Sequence, residues 1–435
     1  MIYYSTENRL ETASLQQAVI KGLAPDKGLY MPQEIKVLAQ SFFDNIPNIS
    51  LQDIAKEIAQ SFFVDDIPIT QLNNIVSDAL NFKIPIIEVE HDIYALELFH
   101  GPTFAFKDVG ARFMARMLSY FVKAEDHDTI NVLVATSGDT GSAVANGFLG
   151  VDGINVFVLY PSGKVSNIQE AQFTTLGQNI TAIEVDGTFD DCQALVKAAF
   201  MDKDLNTKMN LTSANSINVA RFLPQSFYYF HAYAQLLKLG VNKKVIISVP
   251  SGNLGNLTAG LFAKQMGLPI ERFISANNSN DILYKYLNDG KYLPKPSVQT
   301  IANAMDVGDP SNFARITSLF NHCHEDITSQ ISGYRYNDKE ISNAINQVFK
   351  NTGYLLDPHG ACAYMAAKSD KRRDETAIFL ATAHPAKFKD VVEDSIKHTI
   401  DIPSELLAFM NKERVTKKIS PEYQSLENIL MEVGG

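Results

Sequence analysis

The sequence predicts an α/β protein with a largely parallel sheet, preceded by a mostly helical N-terminal segment. Three observations predict it. Short apolar runs rich in β-branched residues alternate with helical stretches over most of the chain, the pattern of strand–helix–strand units. Residues 1–80 carry helical spacing instead. Two of the apolar runs also lead into glycine-containing turns of one plan, INVLVATSGDTGSAVA (130–145) and KVIISVPSGNLGNLTAG (244–260).

In chain order, KGLAPDKGLYMP (21–32) is a Gly/Pro loop. LQDIAKEIAQSFF (51–63) places Ile54, Ile58 and Phe62 on one face of a helix. KIPIIEVEHDIYALELF (83–99) turns to extended, alternating patterns. INVLVAT (130–136), INVFVLY (154–160), KVIISVP (244–250) and TAIFLAT (376–382) read as buried strands separated by helices. LNDGKYLPKPSVQTIANAMDVGDPSNF (287–313) is a long Pro/Gly loop, and loops of this length in compact enzymes tend to be functional. The charged tail after Asp401 is expected to wrap the surface. These patterns divide the chain into a helical segment (1–90), a first α/β lobe (91–235), a second lobe (236–405) and a tail (406–435).

A chain of 435 residues exceeds one hydrophobic core. Its 46% apolar and 20% charged residues suit a folded globular protein. The net charge of -11 argues against nucleic acid or an anionic membrane as the main partner, and leaves a local anion pocket open. Cys192, Cys323 and Cys362 offer neither a disulfide framework nor a C-x-x-C pair, which fits a reducing compartment. MIYYSTENRL lacks the pattern of a signal peptide. No apolar run approaches the ~20 residues that span a bilayer. A cytoplasmic location is the resulting expectation.

The two turns carry the first chemical signal. Each runs Ser-Gly, Asp or Asn, one residue, then Gly. Glycine lets backbone turn sharply and approach a ligand. The following helix presents unpaired N–H groups and the positive end of its dipole. One such loop decides little, since strand-to-helix turns commonly contain glycine. Two of one plan make paired anion sites the better reading. Neither is a Walker A loop, and neither has G-x-G-x-x-G with its acidic partner.

The second signal is Lys107 in FHGPTFAFKDVGARFM (99–114). A lysine among apolar neighbours has a lowered pKa, and its neutral amine can condense with an aldehyde. Pyridoxal phosphate offers an aldehyde and a phosphate, and its amino-acid substrates add a carboxylate. Phe113, Met114, Met117, Leu118 and Phe121 form a helical stripe that puts Lys107 at or just before the first turn. A snorkelling lysine whose stem covers apolar surface is the equal alternative from this stretch alone.

FHGPTFAFKDVGARFM, ATSGDTGSAVA, TSANSINVAR, VPSGNLGNLTAGL and ATAHPAKF occur in order and together resemble the threonine synthases, in their longer bacterial and fungal class. The resemblance extends from GLAPDKGLYMP through NAMDVGDPSNF to ATAHPAKF, nearly the whole chain. It implies the tryptophan-synthase-β type of fold, two parallel-sheet α/β lobes with an extra helical N-terminal segment. It also implies pyridoxal 5'-phosphate as cofactor, a monomer, and conversion of O-phospho-L-homoserine and water to L-threonine and phosphate. At matching positions Lys107 resembles the Schiff-base lysine. Gly252, Asn253, Leu254, Gly255 and Asn256 resemble the cradle of the cofactor phosphate, with Leu254 where Phe is common. Thr382 resembles the hydroxyl at the pyridine nitrogen. Thr136, Ser137 and Thr140 resemble the grip on the substrate carboxylate, and Asp139 stands where shorter relatives place Asn beside the cofactor's 3'-oxygen. Asn215, Ser216 and Arg221 resemble the substrate-phosphate site, which Asn253 could share.

The alternatives are another enzyme of the same fold type, such as a serine/threonine dehydratase, and a non-catalytic relative that binds cofactor or a phosphorylated ligand. A dehydratase needs no γ-phosphate site, so Arg221 with Asn215 and Ser216 discriminates. His322, Cys323 and His324 in NHCHED lack the spacing of a helical metal pair and read as a solvated helix turn. His359 and His384 read as packing or structural hydrogen bonds at the cleft, and Lys387 and Lys389 as solvating a helix face.

Overall fold

The structure is a computed structural model that describes residues 1–125 and 129–434. Its strands are β1 (Ile2–Ser5), β2 (Thr12–Ser14), β3 (Tyr30–Pro32), β4 (Ile86–Glu90), β5 (Ile93–Glu97), β6 (Ile130–Ala135), β7 (Ile154–Pro161), β8 (Ile180–Val185), β9 (Asn210–Ser213), β10 (Lys244–Pro250), β11 (Ile270–Asn277), β12 (Ile331–Arg335), β13 (Glu375–Ala381) and β14 (Lys417–Ile419). They form two large sheets, ordered β12-β11-β10-β13-β5-β4 and β14-β8-β7-β6-β9, and a small one, β2-β1-β3. Within the large sheets every pairing is parallel except β4 with β5. Sheets of this kind are buried on both faces by helices. β6 and β13 accordingly have no exposed or half-exposed residue, and their polar members Asn131, Glu375 and Thr376 are buried with the rest.

The N-terminal helix Leu51–Phe63 starts at Ser50, whose side chain accepts the Asp53 N–H, a standard N-cap. It buries Ile54, Ile58 and Phe62, the face anticipated from spacing, together with Ala55, Ala59 and Phe63. Beside the helices of this segment stands the antiparallel sheet β2-β1-β3, whose strands of three or four residues are too short to show alternation.

The strand pairing departs from the expected division in two places. β4 and β5 fall either side of residue 90, yet both belong to the sheet of β10, β11 and β13, with Ala377–Ala381 paired to Ile93–Glu97. The tail does more than wrap the surface. β14 extends the other sheet along β8, and the helix Tyr423–Gly434 places Leu426, Ile429 and Leu430 in a core with Cys192, Leu195 and Val196. Among the described residues no helix is long and apolar enough to cross a membrane.

Candidate active site

Lys107 is the first residue of the helix Lys107–Glu125. The loop before it is folded hard onto the helix start. Thr103 donates to the Asp108 carboxylate from its N–H (2.9 Å) and its hydroxyl (2.6 Å). A Cβ on Gly101 would lie 2.5 Å from the same carboxylate. Phe104 sits at φ 58, a costly conformation for a bulky side chain. The Phe106 N–H donates to the Thr382 carbonyl at 2.9 Å, which sets Lys107 beside the end of β13. The Lys107 ammonium has no hydrogen-bond acceptor among the described residues and lies 5.8 Å from the centroid of the Phe106 ring. Burial brings its pKa down to about 8; nearby Asp139 opposes that, while Lys387 and Arg221 add to it. Its setting is thus mixed: the Phe106 ring lies to one side, and the charges of Asp139, Lys387 and Arg221 act on an amine that lines a cavity.

After β10 the chain turns through Ser251–Leu254 into the helix Gly255–Gln265. None of the backbone N–H groups from Gly252 to Asn256 finds an acceptor among the described residues. Leu254 occupies the left-handed region at φ 61. A Cβ on Gly252 would meet the Ala304 carbonyl at 2.8 Å, and one on Gly255 would meet Ser216 at the same distance. The Asn256 side-chain oxygen takes the hydroxyl protons of Tyr228 and Tyr229, each at 2.6 Å. Its Nδ2 is left buried without a partner. Successive free N–H groups at a helix start form an anion cradle.

The turn after β6 has its own organiser. Thr136 Oγ1 accepts from Gly138 (2.9 Å) and Gly141 (2.8 Å). The N–H groups of Ser137 and Thr140 remain free. After β9, Arg221 is 2% exposed. It donates from Nε to the Ala214 carbonyl (2.7 Å) and from Nη1 to the Lys107 carbonyl (3.0 Å). Burial lowers its pKa to about 10, against the pull of Asp108.

One cavity gathers Lys107, Thr136, Ser137, Thr140, Asn215, Ser216, Arg221, the loop Gly252–Asn256 and Thr382. Of the residues that the resemblance assigns to cofactor or substrate, only Asp139 is missing from its wall; His384, read as lying at the cleft, is not part of the wall either. Asp139 is 4% exposed, with its carboxylate held by Lys387 Nζ at 2.6 Å and Gln169 Nε2 at 2.9 Å. Burial alone would raise this carboxyl, but Lys387 and Lys107 outweigh it and hold it at about 2. The structure thus supplies Asp139 with a lysine partner, where a cofactor contact would have called for a shared proton. Lys387 likewise does not solvate a helix face: its side chain is 0% exposed and also donates to the Thr103 carbonyl at 2.8 Å. Lys389 remains partly exposed, paired with Glu393.

The cavity also includes residues that the sequence did not single out. Gln193 and Gln225 line it, and Asn303–Val307 from the long loop close one side. His359 pins that side. Its Nε2 accepts the Ala304 N–H at 3.1 Å, so Nδ1 carries the proton and donates to Asp357 at 2.6 Å. Asp306 accepts from Thr300, Asn278 and Asn280, and burial raises it to about 6 despite those bonds. The length of this Pro/Gly loop and the stretch NAMDVGDPSNF were its signals in the sequence, and neither assigned a role to a residue of Asn303–Val307. His384 caps the following turn by accepting the Ala386 N–H at 3.1 Å, and burial lowers it to about 4.

Residues 79–382 match the family model Pyridoxal-phosphate dependent enzyme, which sets the class of this fold and site. Residues 2–80 match Threonine synthase N terminus and residues 360–430 match Threonine synthase, C-terminal. The chain belongs to the threonine synthase family. It is 45% identical to threonine synthase of Haemophilus influenzae over 93% of this chain and 94% of that one. The crystal structure of threonine synthase from Escherichia coli superposes with TM-score 0.93 at 41% identity, covering 99% of this chain and 100% of that one. A threonine synthase from Brucella melitensis with bound cofactor superposes with TM-score 0.92 at 33% identity, covering 100% and 99%.

The residues present fit pyridoxal phosphate. An amine with depressed pKa faces a cradle of free N–H groups that also holds an orphaned amide donor, Asn256 Nδ2. Side chains in place of Gly252 or Gly255 would collide with the cavity wall. The Thr382 hydroxyl has no protein partner.

Proposed function

We infer that the protein is a threonine synthase, a pyridoxal-phosphate-dependent lyase that converts O-phospho-L-homoserine and water to L-threonine and phosphate. The observation that carries this reading is a second polar set with a buried cation, Asn215, Ser216 and Arg221, in the same cavity as Lys107 and the loop Gly252–Asn256, which suits a second anion. A dehydratase would need no such site.

Pyridoxal phosphate, when bound, supplies an electron sink for charge that develops at the substrate's Cα. The chain does the rest. Lys107 would hold the cofactor through its aldehyde group, and its amine, when free, would take and return the substrate's Cα proton. A pKa of about 8 suits both directions of transfer near neutral pH. The free N–H groups of Gly252–Asn256 hold the cofactor phosphate. Thr382 would offer the cofactor's ring nitrogen a neutral hydroxyl in place of a carboxylate. Ser137 and Thr140 grip the substrate carboxylate, and Thr136 keeps their turn in shape. Arg221, Asn215 and Ser216 hold the phosphate that leaves from Cγ. Fixing the substrate at both ends can contribute ~7–11 kcal/mol toward the barrier. Asn253 binds Ser216 and the Ser311 N–H through its side chain, so its part is to join the two anion loops.

The reading takes the protein as a cytoplasmic monomer. Sedimentation of the purified protein tests the second point and fractionation of cells the first. The decisive assay supplies O-phospho-L-homoserine and measures phosphate and threonine together. Equal amounts of both support the reading. Phosphate with 2-oxobutanoate in place of threonine would make the protein a lyase of another specificity.

A further inference from the structure

Arg315 is a fully buried cation without an acidic partner. It belongs to the helix Phe313–Leu319, which directly follows the long Pro/Gly loop, and is 0% exposed. Every hydrogen bond it makes is to a neutral oxygen. Nε and Nη2 donate to the Tyr30 carbonyl at 3.2 and 3.1 Å, and Nη2 also donates to the Ile217 carbonyl. Nη1 donates to the Ser216 carbonyl at 2.8 Å and to Asn312 Oδ1 at 2.6 Å. Its guanidinium carbon lies 4.0 Å from the centroid of the Phe222 ring. Burial lowers its pKa far below the usual range and no carboxylate offsets this. A buried charge with no counter-charge costs stability.

The carbonyls it holds belong to the turn that carries the substrate-phosphate residues. Arg221 holds Ala214 from one side, and Arg315 holds Ser216 and Ile217 from the other. Two guanidinium groups without carboxylate hydrogen bonds therefore bracket Asn215 and Ser216. The side chains form a relay from Arg315. Arg315 fixes Asn312 by its oxygen, so the Asn312 amide donates to Ser216 Oγ at 3.0 Å and to the Asn253 carbonyl at 2.9 Å. Asn253 Nδ2 donates to the same hydroxyl oxygen at 3.2 Å. With two donors aimed at Ser216 Oγ, its own proton has no protein acceptor, and Ser216 lines the cavity.

We propose that Arg315 is a positioning residue of the substrate-phosphate site: through Asn312 it aims the Ser216 hydroxyl at the anion, and its uncompensated charge makes the site select a dianionic group over a monoanionic one. Arg315 itself does not line the cavity and touches no ligand. The proposal rests on reading Asn215, Ser216 and Arg221 as the phosphate site. It adds the reason why a phosphate, and not a carboxylate or a sulfate ester, occupies it.

Calorimetric binding of methyl phosphate and methyl sulfate to the cofactor-loaded enzyme at pH 8 tests it. The two probes share a shape and differ by one charge. The wild-type protein should prefer methyl phosphate. Arg315→Gln should cut that preference about tenfold, as expected for losing a unit charge at short range in a partly screened interior. Arg315→Lys should keep the preference while weakening both probes, because charge survives and the fork does not. Asn312→Ala should weaken both probes alike, since it loosens the Ser216 hydroxyl without changing charge. An Arg315→Gln protein with normal cofactor absorbance and an unchanged preference overturns the proposal. If Arg315→Gln does not fold, unchanged binding of both probes by Asn312→Ala overturns it instead. Methyl phosphate binding that survives Arg221→Ala intact would overturn the underlying site reading and the proposal with it.

Discussion

Lys107 and Asp139 show how much of this site is set by single charges in low dielectric. An ordinary lysine titrates near 10.4 and is almost wholly protonated at neutral pH. With its pKa at about 8, Lys107 is neutral in roughly a tenth of molecules at pH 7. The cofactor-free protein should therefore take up pyridoxal phosphate faster as pH rises from 6 to 9, with the inflection near 8, and borohydride should fix the label on the peptide that contains Lys107. Labelling of another lysine would remove Lys107 from its role. Asp139 gives the second prediction. Its Lys387 partner is wholly buried, so Asp139→Asn leaves an ammonium without its ion-pair partner and with only the more distant field of Asp108, at a cost of about 3–5 kcal/mol. The sign with pH follows from the lowered folded value. Asp139 contributes stability above the unfolded value near 4 and loses it as pH falls from there toward 2. Melting temperatures should separate wild type from Asp139→Asn most clearly above pH 5, and the gap should shrink on acidification. A gap that stays constant down to pH 3 would contradict this.

At the scale of elements, the two strand–turn–helix units owe their geometry to glycines that have no room for a Cβ. Gly252→Ala would bring a methyl within 2.8 Å of the Ala304 carbonyl. That carbonyl belongs to the segment pinned by His359, so relief must come from the cradle. The expected result is weaker pyridoxal phosphate binding, by tenfold or more in fluorescence titration of the cofactor-free protein, with a melting temperature close to wild type. An unchanged affinity would mean that the cradle is looser than the backbone shows. These units were legible in the sequence because their chemistry lies within short runs: an unbroken apolar strand, then glycines, then a helix. The helix at 51–63 was legible for the same reason, since its buried face repeats at spacing four. Three features were not. β1, β2 and β3 are too short to alternate. β5 pairs with β13 across some 280 residues of chain, and no local pattern reports on so distant a partner. Lys387 read as a surface charge and Arg315 drew no reading, because the burial of a cation depends on neighbours that only the fold brings. Asn312 stood in the quoted loop, but its relay to Ser216 joins residues 96 apart.

Across the whole molecule, the cavity lies between the two large sheets. One contributes the turn after β6 and the other the turn after β10. Water is a reactant, but only after phosphate has left, and earlier access would protonate carbanionic character at the wrong moment. The sheets are tied together beneath the cavity by Asp139–Lys387, by the Ser166 hydroxyl on the Lys387 carbonyl (3.2 Å), and by Gln172 on the Thr103 carbonyl (3.1 Å). Such buried contacts resist separation, whereas the free N–H groups of Ser137 and Thr140 at the mouth have nothing to hold them. Substrate would supply that missing partner: its carboxylate would bond the turn after β6, while the cofactor phosphate would stay on the turn after β10 in the other sheet. Binding energy is then available to close the mouth about a fixed base, as it does for many lids and domains. The expected outcome is a shorter Ser137–Gly252 distance in a structure with a non-reactive phosphonate analogue than in the cofactor-only enzyme. The Asp139–Lys387 contact should be the same in both, and amide exchange across residues 136–146 should slow. A Ser137–Gly252 distance and an exchange rate that both stay constant would mean that the site is preformed. A broken Asp139–Lys387 contact in the closed form would place the pivot elsewhere.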